Sequence, residues 1–283
     1  PWQDAVRAAL DVGVNFIDTA DAYGDGYAEK ALGEFLEKEK LRDQFVLATK
    51  FYWNFEKSER HPDTSYDYIM RECEASLKRL RTDHIDLYQI HSWDPLTRPD
   101  EVAAAFTDLR RQGKVRWFGV SNLTVEQMRL YQRFFDVSCL QPNYSLLVRD
   151  IEARELPFCL EQRIGVIAYS PLYRGLLTGK YSPDQKFDDS RANNPLFQGD
   201  AFQCMLEGLD KLRPMAEKHG LTLTQLAIRW ILTHPALTSA IVGVKKPEHI
   251  ETVVAAADAL LPREDWFKVA RHMADVRQAA FGR

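Results

Sequence analysis

Cysteine is scarce: four occur in 283 residues, at positions 73, 139, 159 and 204. None forms a C-x-x-C pair, so neither a disulfide framework nor a zinc knuckle is indicated, and a reducing, cytoplasmic setting is expected. No apolar run reaches the roughly 20 residues of a membrane span, and no charged-then-apolar leader is visible. Excess positive charge is missing too. A formal charge of −4 and a sequence pI near 6.0 argue against field-driven binding to nucleic acid or an anionic membrane, so any bound anion needs a local site. Repeats of 20 to 50 residues, low-complexity tracts and Pro/Gly linkers are absent. The usual phosphate fingerprints are absent as well. "GDGYAE" has Gly24 and Gly26 but Glu29 where a third glycine would stand, and "GLLTGKY" has three residues, not four, between Gly175 and Gly179. Nothing in the composition sets an oligomeric state.

What is present suits a large core: 45% of residues are apolar and 11% aromatic. Short β-rich runs recur, each followed by a helical pattern: "NFIDTA", "QFVLATK", "HIDLYQIH", "VRWFGVSN", "CLQPNYS", "GVIAYSPL" and "LTSAIVGV". That alternation predicts a parallel sheet with helical crossovers. "SYDYIMRECEASLKRLRT" places Tyr68, Cys73, Leu77 and Leu80 near one helix face, and "PDEVAAAFTDLRRQGK" runs to a stop at Gly113. The chain opens on the helical "PWQDAVRAALDVG", which should itself follow a strand. Seven strands are legible and eight close a barrel. The expectation is therefore an α/β fold, a single (β/α)8 TIM-barrel domain over 1–283, with its first strand in roughly 30 residues upstream of Pro1. An open sheet of different strand order is the alternative. The loop "SPLYRGLLTGKYSPDQKFDDSRANNPLFQGD" is long enough to be either functional or disordered.

In such a barrel, chemistry sits at the C-terminal ends of the strands. The first strand ends at Asp18 and runs on to Tyr23, the second ends at Lys50 and the third at His91. Each has an ordinary structural explanation alone, but four at successive strand ends suggest a proton donor. An ammonium beside a phenol favours its anionic form and eases loss of its proton. Asp18 can keep Lys50 charged, and His91 can polarise a carbonyl oxygen. That set serves acid catalysis on a carbonyl compound. It contains no reductant, so the other half of the reaction needs a cofactor. The later strand ends offer Ser121, Asn122, Gln141, Tyr169 and Ser170: amides and hydroxyls for a carboxamide, and an aromatic face for a flat ring. Tyr52, Trp53 and Trp93 lie just beyond catalytic strand ends and suit either an aromatic wall for substrate or packing under a loop.

Across nearly its whole length the chain resembles the aldo-keto reductase superfamily. "NFIDTADAYGDGYAEKALGEFL", "LATK", "LYQIH", "GVSN", "QPNYSLL" and "AYSPLYRGLLTGKY" follow that family's order and spacing. The resemblance implies Tyr23 as general acid, tuned by Lys50 and Asp18, with His91 orienting the carbonyl and Asp21 a residue of the turn. It implies an NADP cofactor, NADPH in preference to NADH, with its carboxamide on Ser121, Asn122 and Gln141 and its nicotinamide on Tyr169. Ser170, Leu172, Arg174, Gly175 and Lys180 would serve the pyrophosphate, and Gly243, Lys245 and His249 the adenosine end. His249 and Val253 stand where many relatives carry Gln and Asn. The substrate would be a small carbonyl compound or its alcohol, and no metal is implied. Two other readings stay open: a Schiff-base aldolase with Lys50 as nucleophile, and a redox-sensing regulatory subunit resembling potassium-channel β-subunits.

Overall fold

The computed structural model describes residues 2–55 and 60–281. It divides into two compact units, residues 9–142 with 157–166, and residues 1–8, 143–156 and 167–283. The first predicted helix begins at Pro1, outside the described residues, and is otherwise present as α1 (Trp2–Asp11).

In the first unit, β1 (Phe16–Asp18), α2 (Tyr27–Glu39) and β2 (Val46–Phe51) are followed by two strands of two residues each, β3 (Trp53–Asn54) and β4 (His61–Pro62). This antiparallel pair was not expected, because two residues carry no readable period. Then come α3 (Tyr66–Leu80), β5 (Ile85–Ile90), α4 (Pro99–Arg111), β6 (Val115–Ser121), α5 (Val125–Tyr131) and β7 (Cys139–Gln141). After α6 (Glu155–Gln162), β8 (Gly165–Ala168) opens with Gly165 and Val166 paired to Cys139 and Leu140. Every main-sheet pairing here is parallel, in the order β1, β2, β5, β6, β7, β8. The register sets Lys50 beside Gln89, Gln89 beside Gly119, and Ser121 beside Gln141.

Local chemistry explains where the helices start and stop. Ser65 caps α3 by accepting the Tyr68 N–H, Thr124 and Gln127 form a capping box on α5, and the turn after α4 reaches Gly113 at φ 73°. Tyr68, Cys73, Leu77 and Leu80 are all buried, as the helical period requires. The joint between α2 and α3 depends on Gly33: a Cβ there would lie 2.4 Å from the Arg79 carbonyl oxygen and 2.5 Å from the Leu80 carbonyl carbon. Backbone cannot yield as a side-chain tip can, so Gly33→Ala should destabilise the protein by about 1–3 kcal/mol, the usual range for overpacking. A urea midpoint equal to that of the unmodified chain would refute this close approach.

In the second unit, Ile167 and Ala168 of β8 pair in parallel with Ser239 and Ala240, which form β9 (Ser239–Ala240). Its helices are α7 (Gly199–Asp210), α8 (Arg213–Lys218), α9 (Leu223–Leu232), α10 (Pro247–Val254) and α11 (Arg263–Phe281). Trp230 of α9 and Trp266 of α11 stack at 4.7 Å and exchange two indole-to-carbonyl hydrogen bonds. The long loop after β8 has a small core of its own. Phe187 meets Tyr181 and Phe197 edge-on, each at 5.1 Å, with the Arg191 guanidinium 4.7 Å over Phe187. Aromatic content, invisible to a search for regular period, orders this segment. All seven strands read from the sequence are therefore present, and no described helix is long and apolar enough to cross a membrane.

Candidate active site

The first unit gathers seven of the expected site residues around the ends of β1, β2, β5, β6 and β7. Lys50 is fully buried; its ammonium donates to Asp18 Oδ1 and, at 2.9 Å, to the Thr19 carbonyl. Asp18 Oδ2 accepts from Gln141 Nε2 at 2.8 Å and from Gln89 Nε2 at 3.3 Å. A buried carboxylate needs such donors as well as its counter-ion. Lys50 Nζ lies 5.2 Å from the centroid of the Tyr23 ring, and the Tyr23 and His91 rings meet edge-on at 6.0 Å. Tyr23 is 44% exposed whereas Lys50 is 0% exposed. The phenol is therefore open to a ligand, while the Lys50 amine is covered and turned to Asp18.

His91 is the first residue beyond β5, its N–H bonded to the Phe51 carbonyl at 3.0 Å; β2 thus runs one residue past the expected end at Lys50. Burial, with a smaller contribution from the charge on Lys50, pushes the His91 imidazole down to about 4. At neutral pH it is uncharged, and its buried Nδ1 has no hydrogen-bond partner among the described residues. A neutral ring in that position can donate a hydrogen bond to an oxygen without competing as an acid.

Ser121 donates through Oγ to the Gln141 carbonyl at 2.8 Å, and Asn122 Nδ2 reaches Ser121 Oγ at 3.0 Å and the His91 carbonyl at 3.3 Å. Gln141 also contacts Gln89 Oε1 at 3.3 Å. Gln89 escaped the reading from sequence. Its signal was a carboxamide within the apolar run "LYQIH", at a position where only a hydrogen-bonded polar group is tolerated in the interior.

The aromatic trio divides. Tyr52 is buried and donates its hydroxyl to the Trp93 carbonyl at 3.1 Å, which joins it to the backbone at Trp93. Trp53 and Trp93 are half-buried; Tyr68 donates to the Trp53 carbonyl at 2.7 Å, and the Trp93 ring meets Tyr131 at 5.6 Å. Asp94 fastens the loop below, accepting from Thr64 N and Oγ1, Thr97 Oγ1 and Leu96 N.

In the second unit, Tyr169 continues from β8, bridged to Asn143, with its carbonyl accepting from Tyr144 N at 3.3 Å. The chain then bends sharply. Ser170, Tyr173, Arg174 and Gly175 all have positive φ, from 44° to 87°. Gly175 is required twice, for its φ of 87° and because a Cβ would stand 2.8 Å from the Tyr181 hydroxyl. That hydroxyl donates to the Arg174 carbonyl at 3.2 Å, and Arg174 Nη1 donates to Ser190 Oγ at 2.8 Å. Leu172 accepts from Gly175 N and Leu177 N, while the Lys180 side chain is exposed with Nζ 5.1 Å over the Tyr181 ring. Farther along, Gly243, Lys245 and His249 are exposed around the start of α10. No cluster of three or more His, Cys, Asp or Glu able to hold a metal ion occurs among the described residues.

Known proteins resemble this chain over most of its length. It is 38% identical to the aldo-keto reductase YhdN of Bacillus subtilis (strain 168), with 93% of this chain and 80% of that protein covered. Against the NADH-specific methylglyoxal reductase of Escherichia coli (strain K12) it is 34% identical, with 92% and 86% covered. The solved structure of the glycerol dehydrogenase AKR11B4 from Gluconobacter oxydans matches 99% of this chain and 86% of its own at a TM-score of 0.89 and 35% identity. Residues 2–274 match the profile of the aldo/keto reductase family. The chain accordingly belongs to that family, NAD(P)-dependent carbonyl oxidoreductases of the (β/α)8 barrel fold.

Proposed function

We propose that this protein interconverts an aldehyde or ketone with its alcohol, using NADP in preference to NAD and Tyr23 as the proton donor to the carbonyl oxygen. The observation that carries this reading is the exposed Tyr23 phenol standing beside a wholly buried, ion-paired ammonium and a neutral imidazole. The nicotinamide, when bound, supplies the hydride. Tyr23 donates the proton, Lys50 favours the phenolate left behind, Asp18 holds Lys50 charged, and His91 orients the oxygen by a hydrogen bond. The same burial disfavours the aldolase alternative, which requires a free amine; borohydride reduction in the presence of a ketone should leave Lys50 unmodified.

The residues present also suit such a cofactor. Ser121, Asn122 and Gln141 have the polarity of a carboxamide, and Tyr169 has a ring to stack on the nicotinamide. The turn from Ser170 through Leu172 and Arg174 to Gly175, with Lys180, joins bent backbone to cationic side chains, the chemistry an anionic diphosphate needs. Gly243, Lys245 and His249 suit the adenosine end. Trp53 and Trp93 favour an apolar, aromatic or sugar-like substrate.

Lys245 and Lys246 put two exposed ammonium groups beside the start of α10. A charged contact to a 2′-phosphate is worth about 1.5–3 kcal/mol, so NADPH should bind about tenfold or more tightly than NADH. Lys245→Glu should erase the preference. Fluorescence titration with both cofactors, followed by their consumption against a panel of aldehydes, tests both parts. Equal dissociation constants would remove the NADP assignment. Cofactor binding without turnover of any carbonyl would instead favour a regulatory subunit.

A further inference from the structure

The turn that carries Tyr23 is rooted in a buried group that the chemistry above does not use. Asp21 is completely buried. Its N–H donates to the Lys50 carbonyl at 3.1 Å and its carbonyl accepts from Gly26 N at 2.7 Å, so its backbone ties the turn to β2 at one end and to the start of α2 at the other. Its carboxyl Oδ1 accepts from Ala22 N at 2.5 Å, while Oδ2 is buried without a hydrogen-bond partner among the described residues.

Among the described residues, the carboxylates around Asp21 share the Arg79 guanidinium. Glu29 of α2 and Glu72 of α3 are also buried, and both pair with Arg79 of α3, Glu29 at 2.6 Å. Glu29 additionally accepts from Thr49 Oγ1 at 2.6 Å. One guanidinium is thus committed to two carboxylates before Asp21 is counted. The phenols of Tyr68 in α3 and Tyr88 in β5 face the same cluster; Tyr68 donates to the Trp53 carbonyl and the Tyr88 hydroxyl has no hydrogen-bond partner among the described residues. The Lys50 ammonium, on β2, is turned to Asp18. Arg79 also lies across the turn: a Cβ on Gly26 would stand 2.6 Å from Arg79 Cδ.

We propose that Asp21 is a positioning residue: in the working enzyme it carries a proton, and the neutral carboxyl group keeps the 21–26 turn seated on Arg79 so that Tyr23 stands beside Lys50 and His91. The inference rests on Tyr23 being the proton donor. Burial, reinforced by the negative charges of Glu72 and then Glu29, pushes the Asp21 carboxyl up to about 8. An unfolded chain releases that proton near 4, so between about pH 4 and 8 the folded state holds a proton the unfolded state has lost. Stability conferred by this turn is complete at the acid end of that window and falls as pH rises through it. Above about pH 8 a third carboxylate is ionised beside Glu29 and Glu72, and the turn loosens.

Asp21→Asn, which copies the neutral acid in shape, tests this. At about pH 6.5 its kcat/KM for a reactive aldehyde should stay within about twofold of the unmodified value, and the alkaline limb should move up by about one unit or more. Its fall in Tm between about pH 5 and 8 should shrink by several degrees, a readout independent of turnover. Glu72→Gln, which removes a charge that keeps Asp21 protonated, should move the limb the other way; it also serves if the Asn variant does not fold. A purely through-space effect on the Tyr23 phenol would move both limbs down, because losing a negative neighbour favours the phenolate. That result overturns the proposal, as does an alkaline limb that neither variant shifts, or loss of all activity in a folded Asp21→Asn protein. Tyr23→Phe run in parallel separates the two readings: if that variant keeps full activity, the assignment of the proton donor fails, independently of Asp21.

Discussion

Tyr23→Phe is expected to slow carbonyl reduction by about 10²–10⁴-fold, the usual contribution of a positioned general acid, with little change in NADPH affinity. The substitution removes one oxygen from a half-exposed ring and leaves the Asp18, Lys50, Gln89 and Gln141 network untouched. His91 cannot take over. With its imidazole pushed down to about 4 by burial and by Lys50, almost none of it carries the proton that a general acid must give up near neutral pH. A single turnover with saturating NADPH and a reactive aldehyde isolates the step. Hydride transfer at the unmodified rate would show that the proton comes from elsewhere.

Lys50→Met should cost both stability and rate. Removing one partner of a buried ion pair usually destabilises by about 3–5 kcal/mol, because the remaining charge is stranded. Here Gln89 and Gln141 still donate to Asp18, which places the expectation near the lower end of that range. The rate should fall by about tenfold or more, since the ammonium 5.2 Å from the centroid of the Tyr23 ring is gone, and the residual activity should have an altered pH profile. Urea midpoints and pH–rate curves read the two effects separately. A variant with native stability and an unchanged profile would reduce Lys50 to filling space.

The two substitutions differ in how far each could be foreseen. That Tyr23 and Lys50 belong to one rim follows from their places at the ends of apolar runs, because a parallel strand delivers its last residues to the same edge as its neighbours. What each can touch does not follow. Strand position gives Tyr23 and Lys50 equal standing, whereas packing leaves one half-exposed and covers the other completely. Tyr52 shows the same limit: its place beside Trp53 suggests a shared wall, yet its hydroxyl ends on the Trp93 carbonyl.

The sequence by itself determined the alternation of strands and helices, the seven parallel strands, the four residues at the first three strand ends and the absence of the usual dinucleotide fingerprint. Each is a matter of period, spacing or residue type along the chain, carried by local backbone and side-chain preferences. Only the tertiary structure decided that Gln89 braces Asp18, that an aromatic core orders the long loop, and that Asp21 is a buried acid among Glu29, Glu72 and Arg79. Those three features depend on groups up to 71 positions apart coming into hydrogen-bond or van der Waals range. Burial and the sum of neighbouring charges, which set the protonation of a carboxyl group, exist only once the chain has packed.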